Sequence, residues 1–182
     1  MPSTTPEPLR LFFALWPDAA VRGALARLAA AAGDHGRPVA RDNLHLTLAF
    51  LGTLDATRLA AVRDAAARVD AEPFRLTLDR IDRWRRPRLI CAVPSAPPDA
   101  LLRLAGELSE AMRALDLPIE RRPFAPHVTL VRRAGGEAPP APPEAPVTWD
   151  VDRFALVASR PSEEGVRYTP LAHWPVAKST PL

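Results

Sequence analysis

The 182-residue chain has a single cysteine, Cys91, and a single lysine, Lys178. It also lacks any apolar run near the ~18 residues that a membrane-spanning helix needs. One cysteine cannot close an internal disulfide, which excludes a disulfide scaffold and agrees with a reducing compartment. Cys91 sits in the apolar stretch LICAVP with no motif around it, so a buried, unreactive thiol is expected. The first residues, MPSTTPEPLR, carry neither the basic segment nor the apolar stretch of a signal peptide. A cytosolic protein, with no membrane contact, is expected. Three enzyme signatures are missing as well: the G-x-S-x-G of serine hydrolases, the Walker glycine loop and the G-x-G-x-x-G of dinucleotide binders.

What is present fits an ordinary globular protein, with 47% hydrophobic and 25% charged residues. The length suits one well-cored domain or two lobes sharing a core. The net charge is only +3, but the 24 basic residues are arginine apart from Lys178. Arginine offers a planar fork for phosphate and a flat face for bases. The skew has two readings, an anionic partner or genome composition, since 22 prolines accompany it.

Local patterns predict an α+β chain. RLFFALWP (10–17) reads as a buried strand, and Asp18 as the N-cap of the helix that follows. NLHLTLAFLG alternates, with Leu44, Leu46, Leu48 and Phe50 on one side and His45, Thr47 and Ala49 on the other. Asp55 opens a second helix over 55–69. PFRLTLDRIDRW and RLICAVP read as two strands joined by a basic turn. A third helix over 98–115 carries Leu101, Leu104, Leu108 and Met112 along one stripe. FAPHVTLVRR, VTWDVDRFALVASR and YTPLAHWPV read as strands. The segment 134–146, AGGEAPPAPPEAP, reads as a proline-rich surface loop within a domain spanning 10–178, after a flexible tail over 1–9.

Two of the four histidines, His45 and His127, share one frame: histidine, apolar residue, threonine, leucine. A lone strand histidine is usually structural, but typical residue frequencies make a repeated frame improbable by chance, which favours function. On a strand, residues i and i+2 point the same way, so H-x-T sets an imidazole beside a hydroxyl. Two such strands facing each other bring two imidazoles and two hydroxyls together. Cleaving a phosphodiester with water needs a base on the water and an acid on the leaving oxygen. Histidine can do either near neutral pH, and threonine hydroxyls can hold the non-bridging oxygens. A metal site is disfavoured, because neither motif brings a third ligand in suitable spacing and Asp42 need not share the face of His45.

NLHLTLAFLG and RPFAPHVTLVRR resemble the paired signatures of the two-histidine (2H) phosphoesterases. RLFFAL, RPRLICAV and YTPLAHWPV fall in the order seen in the RNA 2′,3′-cyclic phosphodiesterase group, historically called 2′-5′ RNA ligase or LigT-like. The resemblance implies a bilobal fold, with pseudo-symmetric lobes whose antiparallel sheets line a central cleft and whose helices lie outside. It implies hydrolysis of an RNA terminal 2′,3′-cyclic phosphate to a 2′-phosphate, with reversible 2′-5′ ligation in some members. By the same resemblance His45 is the general acid and His127 the general base. Thr47 and Thr129 hold phosphoryl oxygens. No metal or cofactor is required, ATP entering only with a ligation-related activity.

An arginine just after the second motif belongs to that pattern. Arg132 occupies the place, whereas strict alternation favours Arg133; a bulge or the strand's end can turn either inward, and Arg132 is expected first with Arg133 in reserve. Phe12 stacks on the terminal base or belongs to the core. Tyr168 is a candidate for the cleft wall. Arg80, Arg83, Arg85, Arg86 and Arg88 around Trp84 either track an RNA backbone or form a solvated hairpin. His35 and His173 are expected to be structural or solvent-exposed. RNA is the expected partner of a protein acting as a monomer. Two other readings are a phosphodiesterase for small cyclic nucleotides or ADP-ribose cyclic phosphate, and a non-catalytic single-stranded RNA binder.

Overall fold

Strand β1 (Leu9–Leu15) is apolar almost throughout because both its faces are covered. Leu11, Phe13 and Leu15 face the main core, whereas Phe12 and Ala14 belong to a separate small cluster on the opposite face. The computed structural model describes residues 8–136, 141–163 and 165–176. Lys178 and most of the N-terminal tail lie outside them, and Leu9, expected in the tail, already belongs to β1.

After β1, Asp18 accepts from the Val21 amide at 2.8 Å and starts α1 (Ala19–Ala31). A short strand β2 (Arg37–Pro38) leads to β3 (Leu46–Leu54), the first histidine strand. Helix α2 (Leu59–Ala66) follows a turn capped by Asp55. Next come β4 (Phe74–Leu78), β5 (Arg80–Trp84), β6 (Leu89–Val93) and α3 (Asp99–Arg113). The second histidine strand is β7 (Val128–Arg132). Strands β8 (Val147–Val151), β9 (Arg153–Ser162) and β10 (Gly165–Pro175) follow it. Residues 134–136 and 141–146 are without helix or strand, and 137–140 fall outside the described residues.

The main sheet runs β10-β9-β1-β3-β7-β6-β5, with β2 paired to β7. Every pairing is antiparallel. Its two halves meet at one pair, Leu46 opposite Val128. Each residue directly follows one of the paired histidines, so the junction of the two lobes is also the meeting place of the two motifs. One face of the sheet is covered by helices: α3 packs on β3, and α1 on β7. Leu101, Leu104, Leu108 and Met112 are all essentially buried there, so truncating one of these leucines to alanine costs about 2–5 kcal/mol.

Two strand expectations needed correction. PFRLTLDRIDRW breaks at Asp79, whose carboxylate accepts from the Ser95 amide at 2.7 Å. VTWDVDRFALVASR breaks at Asp152, whose carbonyl accepts from the Val176 amide at 2.8 Å. In each case the first half leaves the main sheet, and the two first halves, β4 and β8, pair in a two-stranded sheet. Leu76, Leu78, Val147, Trp149 and Val151 of that sheet join the main core.

The alternation along β3 also fails. Its pairing with β1 slips between Leu11 and Phe12 and again between Phe13 and Ala14, so two β-bulges interrupt the strand. Ala49 goes into the main core, and Phe50 turns outward at 44% exposure instead of joining Leu46 and Leu48.

Gly36 is held close against the end of β7. A Cβ there would lie 2.7 Å from the Arg132 carbonyl oxygen and 2.9 Å from the Val131 side chain. Gly36→Ala must push β7 aside. The expected cost is ~1–3 kcal/mol, read as a fall in Tm of several degrees, with activity reduced because Arg132 moves. An unchanged Tm and turnover would refute the close approach.

Candidate active site

Each H-x-T motif begins where its strand begins, and the residues before it fix the ring. His45 Nδ1 lies 2.7 Å from the Asn43 carbonyl, and His127 Nδ1 lies 2.8 Å from the Ala125 carbonyl. A carbonyl only accepts, so both rings carry their proton on Nδ1 and leave Nε2 for chemistry. In the first motif Thr47 Oγ1 lies 3.0 Å from His45 Nε2 and donates to it while the ring is neutral. In the second, the Thr129 hydroxyl instead engages the thiol of Cys91, its ladder partner. Cys91 is fully buried as expected, and desolvation pushes its thiol up to about 12.

Burial pushes the His45 imidazole down to about 4; the Asn43 carbonyl opposes this, and the charges of Arg132 and His127 add to it. His127 is also lowered, again chiefly by desolvation, with Ala125 opposing and Arg132 adding. Arg132 therefore acts on both imidazoles. A slip in the β6–β7 pairing, between Ile90 and Cys91, skips Leu130 and breaks the alternation after Thr129. That bulge is why counting residues favoured Arg133. Arg133 lies just past the strand in a left-handed conformation, φ 54°, and also lines the cleft.

Each histidine has its own aromatic surroundings. His45 has Phe12 at 4.8 Å, Trp16 stacked at 5.9 Å and Tyr168 edge-on at 5.1 Å, all between ring centroids. His127 has Trp84 at 4.3 Å. Phe12 is only 3% exposed, so it forms the floor beneath His45 and has no free face for a base. Of the two expectations for Phe12, this burial favours the core. Tyr168 lines the cleft.

The basic hairpin divides. Arg83 donates to the carbonyls of Gly135 and Ala134, and Arg80 pairs with Asp82, so both brace the fold. Arg85, Arg86 and Arg88 are exposed on the turn. His35 and His173 do not line the cleft.

Sequence reasoning missed Asn43, Trp16 and Phe50. The Asn43 amide donates to the Val166 carbonyl at 2.6 Å and accepts from the Tyr168 amide at 3.2 Å. It thereby ties β10 to the first motif. An asparagine two residues before the motif histidine was the only signal available.

These groups border an open cleft of about 960 Å³, lined by His45, Thr47, Arg132, Arg133, Tyr168 and Phe50 among others. A shallower groove of about 740 Å³ lies beside α2 and α3, away from both histidines. The cleft offers arginines for an anion and His45 for a proton, and His127 is near enough for its charge to act on that ring; the groove offers no histidine. Among the described residues no helix is long and apolar enough to cross a membrane.

Known proteins resemble this chain in sequence and fold. The chain is 39% identical over 170 residues to the RNA 2′,3′-cyclic phosphodiesterase of Escherichia coli, covering 92% of this chain and 97% of that one. It is 35% identical over 181 residues to the Thermus thermophilus protein of the same name, covering 90% and 88%. The solved structure of E. coli LigT complexed with 3′-AMP superposes with a TM-score of 0.89 at 38% identity, covering 94% of this chain and 100% of that one. The lobes, the cleft and the antiparallel sheets are those of the 2H phosphoesterase fold. A family model matches residues 16–163, and the chain belongs to the 2′-5′ RNA ligase superfamily.

Proposed function

We infer that the protein hydrolyses the terminal 2′,3′-cyclic phosphate of RNA to a 2′-phosphate. The observation that carries this reading is the pair of imidazoles, each held by Nδ1 on a backbone carbonyl, with Arg132 acting on both. The relatives named for that activity support it.

In the proposed reaction a water oxygen attacks phosphorus and gives its proton to His127 Nε2. The bond from phosphorus to the 3′-oxygen breaks, and that oxygen takes a proton from His45 Nε2. The products are a 2′-phosphomonoester and a 3′-hydroxyl. Thr47, Thr129 and Arg132 hold the non-bridging oxygens, where charge must be stabilised. Both proton transfers come from side chains, so the reaction is expected to run without metal or cofactor.

The division of roles, His45 as acid and His127 as base, is that of the 2H phosphoesterases the chain resembles. The cleft opens along His45, Thr47 and Tyr168. The nucleoside is the bulky side of the substrate and carries the 3′-oxygen. Bound in the cleft, it brings the leaving oxygen to His45 and leaves His127 for water across phosphorus. Thr47 gives His45 a partner while neutral, and an arriving phosphate anion offsets Arg132 and raises the imidazole toward its acid form.

The pH profile follows from these shifts. The active form has His45 protonated and His127 neutral, and both groups titrate below the ordinary 6.5 in the empty site. A bell in kcat/KM is therefore expected with its maximum below pH 6.5. The kcat maximum should lie higher, because the bound anion lifts both values. A kcat/KM profile centred on the alkaline side would contradict the assignment.

The direct test is turnover of an RNA oligonucleotide ending in a 2′,3′-cyclic phosphate, with EDTA present. Release of a 2′-phosphate end is expected. No turnover by folded protein would overturn the reading and favour a binder of single-stranded RNA. The cytoplasm is the compartment this reading implies, and a monomer suffices for it.

A further inference from the structure

The largest exposed aromatic next to the paired histidines is one the reaction does not use. Phe50 is 44% exposed, and the bulge of β3 at Leu48 turns it onto the cleft face that carries Thr47. It pairs in register with Phe12, two rungs along the sheet from the pair Ala14–Thr47. Two rungs are about 7 Å, roughly the step from one nucleotide to the next. The Arg10 guanidinium lies over the Phe50 ring, 4.9 Å from its centroid. Arg10 is itself in register with Ser159, and Ser159 with Tyr168, so three strands bring these side chains onto the same end of the cleft. Arg167 and Ser162 also line the cleft.

A phosphodiester at the histidines needs none of these groups. An exposed ring capped by a guanidinium, flanked by further arginine and hydroxyl donors, is the arrangement that binds single-stranded nucleic acid by stacking and phosphate contact. We propose that Arg10 and Phe50 form a subsite for the penultimate nucleotide, its base stacking on the Arg10–Phe50 platform and its phosphate held by Arg10 and Arg167. The proposal rests on the cyclic-phosphate reading and makes an oligonucleotide end, rather than a mononucleotide, the preferred substrate class. The nucleotide carrying the cyclic phosphate occupies the cleft at His45 and Tyr168. The chain then leaves 5′-ward over Phe50.

The test compares kcat/KM for adenosine 2′,3′-cyclic phosphate and for a trinucleotide ending in the same group, in wild type, Phe50→Ala, Phe50→Trp and Arg10→Ala. Wild type should favour the trinucleotide. Phe50→Ala should lower its kcat/KM by about ten- to a hundred-fold, the range of one lost stacking contact, so that the ratio of the two substrates falls toward one. Phe50→Trp should retain the preference. Binding of a trinucleotide ending in a 2′-phosphate gives a second readout. Arg10→Ala should flatten its salt dependence by about 0.7 in log–log slope, the value of one single-strand phosphate. Equal wild-type rates on both substrates, or variants that lower both rates equally, would overturn the subsite while leaving the phosphodiesterase reading intact. Turnover of neither substrate would overturn that reading, and the subsite would then stand or fall on the binding difference between wild type and Phe50→Ala.

Discussion

His45→Ala and His127→Ala are each expected to lower kcat on cyclic-phosphate RNA by about 10²- to 10⁴-fold, the usual worth of a positioned acid or base. The two losses should not add in the double variant, because an acid without its base, or the reverse, already leaves the concerted displacement undriven. Neither ring belongs to the buried core, so both variants should fold. Removing His45 does loosen its contacts with Phe12, Trp16 and Tyr168, each worth about 0.5–1.5 kcal/mol, so a thermal melt must accompany the kinetics. The roles separate with a substrate whose 3′ bridging atom is sulfur. A thiolate leaves without a proton far more readily than an alkoxide, so His45→Ala should regain most of its loss on that substrate while His127→Ala should not. The opposite pattern would exchange acid and base.

The parts of this molecule that were legible in the sequence are those decided within a few residues. The Asp18 cap, the stripe Leu101–Leu104–Leu108–Met112 and the two H-x-T frames depend on local spacing, and each lies where spacing put it. The carbonyls that hold the two Nδ1 atoms are also local, two residues before each histidine, but no side-chain pattern announces them. What failed depends on partners far along the chain. Phe50 faces the cleft because β3 must match β1 across a bulge at Leu48. Strict alternation pointed to Arg133 instead of Arg132, the residue expected first, because it could not see that β7 slips against β6 at Leu130. A one-residue slip reverses every side chain beyond it, so alternation read from one strand could not place either residue. The breaks at Asp79 and Asp152 have the same origin. β4 and β8, separated by most of the second lobe, pair with each other and pull their segments out of the main sheet.

Arg132→Ala is expected to cut kcat by about 10²- to 10³-fold, comparable to losing one preorganised donor to a developing oxyanion. Burial is the main reason both imidazoles lie below their ordinary value, and the guanidinium's charge adds to it. Removing it raises both, so the kcat/KM maximum should move to higher pH in the same variant that loses rate. A purely structural arginine would lose rate, if at all, without moving the profile. Arg132→Lys separates the two contributions. It keeps a positive charge near the imidazoles and so should keep the acidic optimum, but a point charge lacks the planar fork that grips two phosphoryl oxygens, and most of the rate loss should remain. Arg133→Ala, beyond the strand end, should cost only a few-fold and leave the optimum where it was. If instead Arg133→Ala moves the optimum and Arg132→Ala does not, the bulge at Leu130 does not hold in solution and the plain alternation of β7 was the better guide.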